Sequence, residues 1–237
     1  MEKEVKIDRA PTGIPGFDEL VQGGFPRDSI ILVSGTPGTS KTIFGMQFIA
    51  NGALKYGEKG IYITLEQSKE SLILQFKEFG YDLEKLEKEE KIWILDANPD
   101  ENKEDPFSKL TNYEFDLKIR DFKPKRIVMD SLSLILNLSA TYDGYRRNVG
   151  KLSKIFRDMG ATVLFTHERT KGGVEEIDYS IEEFVSDGIV FLQMVRKGNI
   201  LERMLIILKM RETKHSTGIY PFMIGKEGIE ISPLQKL

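Results

Sequence analysis

The sequence has no cysteine among its 237 residues, which excludes a disulfide framework, a thiolate metal site and a cysteine nucleophile. It also has no apolar run that approaches the length of a membrane-spanning helix. Residues 1–6 are mostly charged and contain no apolar segment, so we expect no secretory signal. From these absences we expect a cytoplasmic protein that has no membrane partner.

Positive charge is not in excess either, since 34 lysines and arginines stand against 37 aspartates and glutamates. A broadly basic nucleic-acid-binding surface is therefore not expected, although a local basic patch remains open. The 40% hydrophobic and 30% charged residues are typical of a globular protein with a full core. Abundant lysine and glutamate without cysteine is also typical of thermophilic proteins.

The length and the absence of a linker-like stretch predict a single domain over residues 1–237. Apolar runs alternate with helical patterns as far as residue 166, which predicts parallel strands joined by right-handed crossovers. After residue 187 the pattern changes to two β-hairpins, at 188–210 and 219–232. The predicted fold class is α/β, with a mostly parallel central sheet, helices on both faces and an antiparallel C-terminal extension.

The middle of the chain gives more local predictions. One helix is expected from about residue 108 to 122, and another from about residue 145 to 159. A polar, acidic surface loop is expected at residues 98–106, and a further loop at residues 137–148. Ser68 is expected to cap the helix that begins at Lys69.

Residues 35–42, Gly-Thr-Pro-Gly-Thr-Ser-Lys-Thr, lie between an apolar run and a helical pattern and indicate a phosphate-binding loop. In such a loop, backbone N–H groups and the positive end of the following helix surround the phosphates. Lys41 would neutralise the outer phosphates, and the Thr42 hydroxyl would bind Mg²⁺. The predicted cofactors are therefore ATP or ADP with Mg²⁺. Nucleotide contacts are expected from Thr36, Pro37, Gly38, Thr39, Ser40, Lys41, Thr42 and Ile43.

Ser40 departs from the usual pattern G-x-x-x-x-G-K-[ST], because it occupies the place of the second glycine. A Cβ at this position could crowd the approach of the backbone to phosphate. The alternative interpretation is a tight turn between strand and helix that binds nothing. The order of strand, turn, lysine-threonine pair and helix favours the phosphate-binding loop.

Two carboxylates are candidates for the chemistry. Asp130 ends a predicted buried strand, where a parallel sheet places its ligands, and would hold Mg²⁺ directly or through water. The alternative is that Asp130 caps the next turn. Glu66 ends the neighbouring strand and would orient and deprotonate the attacking water, or it is simply a solvated strand end. Gln67 can position water but cannot act as a base.

Segments spread over nearly the whole chain resemble the KaiC-type branch of the RecA-like ATPases. Only the phosphate loop is generic, and the others together are specific to that family. The segments are 12–20, 35–42, 64–66, 130–131, 166–169, 182–187, 209–215 and 218–222.

This resemblance implies a homo-oligomeric ring, usually a hexamer, with ATP bound between subunits. In the family, the residues that match Lys209 and Arg211 reach the γ-phosphate of the adjacent subunit. The residues that match Thr213 and His215 contact the nucleotide of that adjacent subunit. Met210 is expected to contact this nucleotide as well. From the residues alone, an exposed basic hairpin end is the favoured interpretation. A cation delivered by a partner typically contributes about 10³ to 10⁵ in rate, so we expect an isolated subunit to be nearly inactive.

Two departures from the family pattern bear on activity. Gln67 replaces the second of two adjacent glutamates, so we expect slow hydrolysis. Glu183 and Phe184 lie just before Val185-Ser186-Asp187. In clock proteins of the KaiC type, the half that phosphorylates itself carries a Ser-Thr pair at this place. We therefore expect no autokinase cycle, and from the single predicted domain we expect no double ring within one chain.

Two other functions remain open. A RecA- or RadA-like DNA-dependent ATPase would bind DNA through the loops after Asp130 and Thr166. The first loop contains Arg146 and Arg147 but also the negative charge of Asp143, and the second loop, 170–180, is acidic. Binding to DNA requires several cations that face the phosphates, so nucleic acid is not expected as a partner. The second function is a nucleotide-gated, non-hydrolysing ring that presents a surface to an unidentified protein. Both Ser40 and Gln67 agree with that function.

Overall fold

The computed structural model describes residues 7–99, 106–139, 141–169 and 185–232. The strands in these ranges are β1 (Arg9–Ala10), β2 (Phe25–Pro26), β3 (Ile30–Gly35), β4 (Gly60–Thr64), β5 (Ile92–Asp96), β6 (Arg126–Asp130), β7 (Thr162–Glu168), β8 (Gly188–Lys197), β9 (Ile200–Met210), β10 (Ile219–Gly225) and β11 (Gly228–Ile231). The helices are α1 (Lys41–Lys55), α2 (Lys69–Lys77), α3 (Leu83–Lys88), α4 (Pro106–Thr111), α5 (Tyr113–Phe122), α6 (Leu132–Leu138) and α7 (Tyr142–Arg157), with a 3₁₀ helix at Asp18–Val21.

The main sheet has nine strands in the order β11-β10-β9-β8-β3-β7-β6-β4-β5. From β8 to β5 every neighbouring pair is parallel. From β8 to β11 every neighbouring pair is antiparallel. This arrangement confirms the predicted α/β fold with its antiparallel C-terminal extension.

The core lies on both faces of the main sheet. Successive residues of β3 point to opposite faces, so Ile31 belongs to one apolar cluster and Leu32 to the other. The first cluster packs under α1, whose Phe44 and Phe48 are fully buried. The second packs under α7 through residues such as Leu152. Burying a side chain of this size stabilises the fold by about 1.5–3 kcal/mol, so α1 and the loop before it are firmly seated on the sheet.

An aromatic cluster attaches the N-terminal segment to α1. The Phe17 and Phe44 ring centroids lie 5.1 Å apart, and those of Phe25 and Phe48 lie 5.7 Å apart. Each ring is fully buried, and edge-on contacts of this kind add about 0.5–1.5 kcal/mol per pair to the burial itself. The small sheet formed by β1 and β2 is thereby fixed against the helix that follows the candidate phosphate loop.

Two local predictions were wrong. The single helix over 108–122 is instead α4 and α5, because the Asn112 side chain accepts a 2.8 Å bond from the Phe115 N–H and begins a new helix. The loop expected at 137–148 contains the end of α6 and the start of α7, where Thr141 caps the helix through the Gly144 N–H at 3.0 Å. The predicted cap at Ser68 is confirmed. Most of the loop expected at 98–106 lies outside the described residues.

Among the described residues, no helix combines the length and the apolar character that crossing a membrane requires.

Candidate nucleotide-binding site

The loop between β3 and α1 has the compact shape that a phosphate site requires. A Cβ on Gly35 would lie 2.3 Å from the Leu192 carbonyl oxygen, so only glycine fits where β3 ends. The Thr39 hydroxyl donates a 2.7 Å hydrogen bond to the Thr36 carbonyl and closes the loop on itself. Gly38 has a φ of +77°, which glycine adopts without strain. The predicted strand, loop and helix therefore occur in the predicted order.

The Lys41 ammonium group is folded back onto this loop. Its Nζ donates to the carbonyl oxygens of Gly35 at 2.9 Å and Thr36 at 3.0 Å. Burial lowers the pKa of Lys41, and the negative charges of Glu168, Asp130 and Glu66 oppose that shift. Neutral carbonyls are weak partners for a buried cation, whereas an anionic phosphate in the loop would be a strong one.

Asp130 ends β6 directly beside the start of α1. The Thr42 hydroxyl donates a 2.8 Å bond to Asp130 Oδ2, and the buried Tyr62 hydroxyl donates a 2.7 Å bond to the same oxygen. The Thr166 hydroxyl donates to Oδ1. Asp130 is 8% exposed, and the N-cap position of α6 is Ser131, which makes no side-chain capping bond. This geometry favours the metal-binding interpretation of Asp130 over the capping one.

Tyr62 and Thr166 were not among the predicted site residues. Burial, the Asp130 charge and the hydrogen bond to it raise the pKa of the Tyr62 phenol well above its ordinary value, so Tyr62 donates as a neutral hydroxyl. Thr166 follows Phe165, which pairs with Met129 in the β6–β7 register, and so it sits beside Asp130. The strand register could have identified Thr166, whereas a tyrosine in an apolar strand resembles an ordinary core residue.

Glu66 lies beyond the end of β4, the strand that pairs with β6. Thr64 and Asp130 are register partners, so both carboxylates reach the same edge of the sheet. Glu66 is exposed, and the buried Ser131 hydroxyl donates a short hydrogen bond to its carboxylate. Ser131 was not predicted either. A carboxylate held by one hydroxyl and open to solvent can orient and deprotonate a water molecule.

Ser40 takes up the backbone conformation of the glycine that it replaces. Its φ of 73° and ψ of 27° lie in the left-handed region, and its side chain makes no capping bond to α1. A left-handed residue other than glycine costs about 1–2 kcal/mol. The loop therefore keeps its shape at the expense of local strain.

The segment at the end of β9 lies at the opposite end of the sheet. Gly188 pairs with both Ile31 and Met210, whereas Gly35 pairs with Leu192. Four strand residues, about 13 Å, therefore separate Met210 from the start of the loop. The predicted site residues of this segment therefore do not lie near the phosphate loop of their own chain. These residues are Lys209, Met210, Arg211, Thr213 and His215.

Lys209 and Arg211 are both held by the chain that precedes β8. Lys209 Nζ donates to the Ser186 carbonyl at 2.6 Å, and Arg211 Nη1 lies 3.0 Å from Asp187 Oδ1. Burial and the nearby Arg211 charge lower the pKa of Lys209. The Arg211 side chain remains 60% exposed, so it is accessible to a molecule outside this chain.

The residues considered for DNA binding separate into two groups. Arg146 and Arg147 were expected in a loop. They are instead exposed residues of the helix α7. Residues 170–180 lie outside the described part of the chain.

Comparison with known proteins identifies relatives of this chain. A family model described as "ATPase: KaiC" matches residues 10–236. The chain is 35% identical over 240 residues to the circadian clock oscillator protein KaiC of Parasynechococcus marenigrum, covering 98% of the chain and 46% of that protein. It is 38% identical over 237 residues to the KaiC of Parathermosynechococcus lividus, covering 96% of the chain and 43% of that protein. The chain therefore spans about half the length of the curated relatives that it matches.

A solved structure matches the fold along its length. The crystal structure of a KaiC-like protein from the hyperthermophilic archaeon Pyrococcus horikoshii superposes with a TM-score of 0.85 at 38% sequence identity. The match covers 96% of this chain and 100% of that one.

Proposed function

Because this chain belongs to the KaiC family of ATPases, we propose that it binds Mg²⁺-ATP at residues 36–43 and hydrolyses it slowly. Lys41 neutralises the phosphates, Thr42 and Asp130 bind Mg²⁺, and Glu66 activates the attacking water. The observation that carries the proposal is the direct Thr42–Asp130 hydrogen bond of 2.8 Å beside the loop. That bond brings together the two oxygen ligands on which the metal depends.

The donor set fits Mg²⁺ in this role. Mg²⁺ prefers oxygen ligands and is usually bound by one or two protein groups together with substrate phosphates. The described residues contain no cluster of three His, Cys, Asp or Glu side chains that could hold a metal without a nucleotide. When bound by Thr42 and Asp130, Mg²⁺ would neutralise negative charge on the phosphates. Tyr62 and Thr166 would keep the Asp130 carboxylate oriented towards it.

We further propose that the reaction centre is completed in trans in a homo-oligomeric ring, expected to be a hexamer. Lys209 and Arg211 of one subunit would reach the γ-phosphate held by the next, and Met210, Thr213 and His215 would contact its nucleotide. The separation of these residues from the loop of their own chain supports this assignment. The exposed Arg211 side chain supports it as well.

Slow turnover and a regulatory or signalling role complete the proposal. Gln67, next to Glu66, can align water but cannot accept its proton. The strained backbone at Ser40 also sets this loop apart from the usual pattern. A slow ATPase suits a ring whose nucleotide state is presented to an unidentified protein partner. No autokinase cycle is proposed, and Glu183 and Phe184, on which that expectation depends, lie outside the described residues.

The test is phosphate release measured with nucleotide affinity on wild type and Glu66→Gln. We expect Glu66→Gln to keep its affinity for ATP and to lose about 10²- to 10⁴-fold in rate. Equal, background-level rates in both proteins would instead favour the nucleotide-gated scaffold, to which Gln67 and Ser40 also point. Stimulation of the rate by single-stranded DNA would favour the RecA-like alternative.

A further inference from the structure

The loop that follows β9, residues 211–216, needs support from elsewhere in the chain. It has no regular secondary structure, and Glu212 and Lys214 are exposed. Within the loop, the Thr213 hydroxyl donates a 3.0 Å bond to the Arg211 carbonyl. Delivering a cation to a neighbouring active site requires placement to within about 1 Å, which a loop this irregular does not provide alone.

Arg9 supplies part of that support from the opposite end of the sequence. Its Nη1 donates to the Thr213 hydroxyl at 3.0 Å, and its Nη2 donates to the Glu212 carbonyl at 3.2 Å. Nη1 also donates to the Gly24 carbonyl at 3.1 Å. One planar guanidinium therefore joins the N-terminal segment to two consecutive residues of the loop. Since Thr213 in turn holds the Arg211 carbonyl, Arg9 acts on the backbone of Arg211 through one intermediary.

The 3₁₀ helix Asp18–Val21 and the residue that follows it provide two more contacts to the loop. The Gln22 side-chain oxygen accepts a 3.0 Å bond from the Lys214 N–H and a 3.4 Å bond from Arg9 Nη2. The Leu20 carbonyl accepts a 2.9 Å bond from the Ser216 N–H. Arg9, Leu20, Gln22 and Gly24 together form what we call the N-terminal clamp.

The clamp has a rigid base. A Cβ on Gly24 would lie 2.5 Å from the Ala10 carbonyl oxygen, so the backbones of β1 and the segment before β2 approach as closely as glycine allows. Phe17 and Phe25 then fix this region against α1, as described above. The clamp therefore holds residues 211–216 in a defined position relative to the body of their own subunit.

From these contacts we propose that Arg9 and Gln22 are positioning residues that place the loop 211–216 for its action on the neighbouring subunit. The inference rests on the proposed function, because it requires that loop to act in trans. Removing the Arg9 guanidinium should leave the subunit's own phosphate loop, residues 36–43, intact, so that the defect lies in the loop that serves the neighbour. The removal should lower turnover about 10- to 100-fold, because the backbone that carries Arg211 would lose its support from Thr213 and the clamp, although the Arg211 side chain would keep its contact with Asp187.

The test is complementation between subunits that are mixed without nucleotide and then given Mg²⁺-ATP. Glu66→Gln has a defective site and an intact loop 211–216, whereas Arg211→Ala has an intact site and a defective loop. In a 1:1 mixture, one interface in four combines an intact site with an intact loop, so activity should recover to about a quarter of wild type. Arg9→Ala should behave as a loop defect. It should recover with Glu66→Gln to about the same level, and it should not recover with Arg211→Ala.

Arg27→Ala is the matched control. Arg27 is also a half-buried arginine of the N-terminal region, and it binds Asp8 and Glu58 without touching residues 211–216. The turnover of Arg27→Ala should stay within about twofold of wild type. This variant loses two ion pairs, so it matches Arg9→Ala in losing the polar contacts of one arginine. Gln22→Ala is the second test variant and should complement in the same pattern as Arg9→Ala.

The outcomes separate the two levels of the proposal. If Glu66→Gln and Arg211→Ala fail to complement each other, action in trans is wrong and the positioning role falls with it. If that pair recovers but Arg9→Ala does not recover with Glu66→Gln, the Arg9→Ala substitution damages the nucleotide site of its own subunit. Only the positioning role is then overturned. Wild-type turnover by Arg9→Ala would overturn it too.

Discussion

Lys41 and Arg211 lie at opposite ends of the same sheet. Lys41 Nζ is bound to the carbonyl where β3 ends, whereas Arg211 follows Met210, whose partner Gly188 pairs near the start of β3. A cation can stabilise charge on a transferred phosphoryl group only from within contact distance. Arg211 can therefore serve a phosphate group only if that group is bound to another subunit.

Replacing Arg211 by alanine should separate catalysis from binding. We expect turnover to fall about 10³-fold or more, with nucleotide affinity changed only slightly. Stability should change little, because the Arg211 side chain is 60% exposed and the buried Asp187 keeps its ion pair with Arg157 at 2.9 Å. Phosphate release and nucleotide titration check this expectation, with Arg120→Ala, an exposed arginine on α5, as the control. A rate equal to that of the control would remove Arg211 from the reaction.

Tyr62→Phe should weaken the metal site without emptying the core. The substitution removes only the hydroxyl that donates to Asp130 Oδ2, and a bond to a charged acceptor contributes about 1.5–3 kcal/mol. We expect the Mg²⁺ concentration for half-maximal activity to rise up to about tenfold. Tyr81→Phe is the control, since it removes a buried tyrosine hydroxyl bound to Asn51 and Glu227 away from the site. If both variants shift the Mg²⁺ requirement equally, Tyr62 has no specific role.

Ser40→Gly should stabilise the protein, because glycine adopts a φ of 73° without the penalty that serine bears. A gain of ~1 kcal/mol corresponds to a rise in Tm of about 2–4 °C for a protein of this size. Ser40→Ala keeps the Cβ and should give no increase, so the two variants distinguish backbone strain from loss of the hydroxyl. A higher Tm for both variants would contradict the strain interpretation.

Lys41→Met should stabilise the nucleotide-free protein while it abolishes nucleotide binding. Because burial lowers the pKa of Lys41, the folded protein binds this proton less tightly than the unfolded chain, and the charged side chain costs stability at neutral pH. The carbonyls that it leaves retain other donors, since Gly35 accepts from the Arg169 N–H and Thr36 accepts from the Thr39 hydroxyl.

Thermal unfolding as a function of pH checks the Lys41 assignment. The stability of wild type should rise towards that of Lys41→Met as pH increases through about 10.5, the ordinary pKa of lysine, because the unfolded chain also loses this proton only above that pH. Lys55→Met, which replaces an exposed lysine at the end of α1, is the matched control substitution. A Lys41→Met variant less stable than wild type at neutral pH would show that the buried ammonium stabilises the fold.

Sequence patterns predicted the large elements because each has a strong local cause. The alternation of apolar runs and helices determines the parallel strands, and the Ser68 cap is a single local bond. The break at Asn112 was missed because the same residue is tolerated inside a helix, and its capping bond to Phe115 forms only when the chain turns there. Helix continuity is therefore not decided by composition alone.

The candidate site shows the same division. Lys41 and Thr42 belong to a motif with fixed spacing and Asp130 was predicted from its place at the end of a strand, and the structure joins Thr42 to Asp130. Tyr62 and Ser131 reach the site only because β4 pairs with β6, a contact between distant segments that no local pattern encodes. The motifs thus indicate which residues bear charge, while sheet register determines which neutral hydroxyls hold those charges in place.

The most direct test of completion in trans is the ATPase rate per subunit as a function of protein concentration, with the mass of the assembly followed by light scattering in the same Mg²⁺-ATP buffer. We expect the rate per subunit to fall in step with the fraction of chains in the ring and to reach background when the protein is monomeric. A monomer that hydrolyses ATP at the same rate as the assembly would contradict the account.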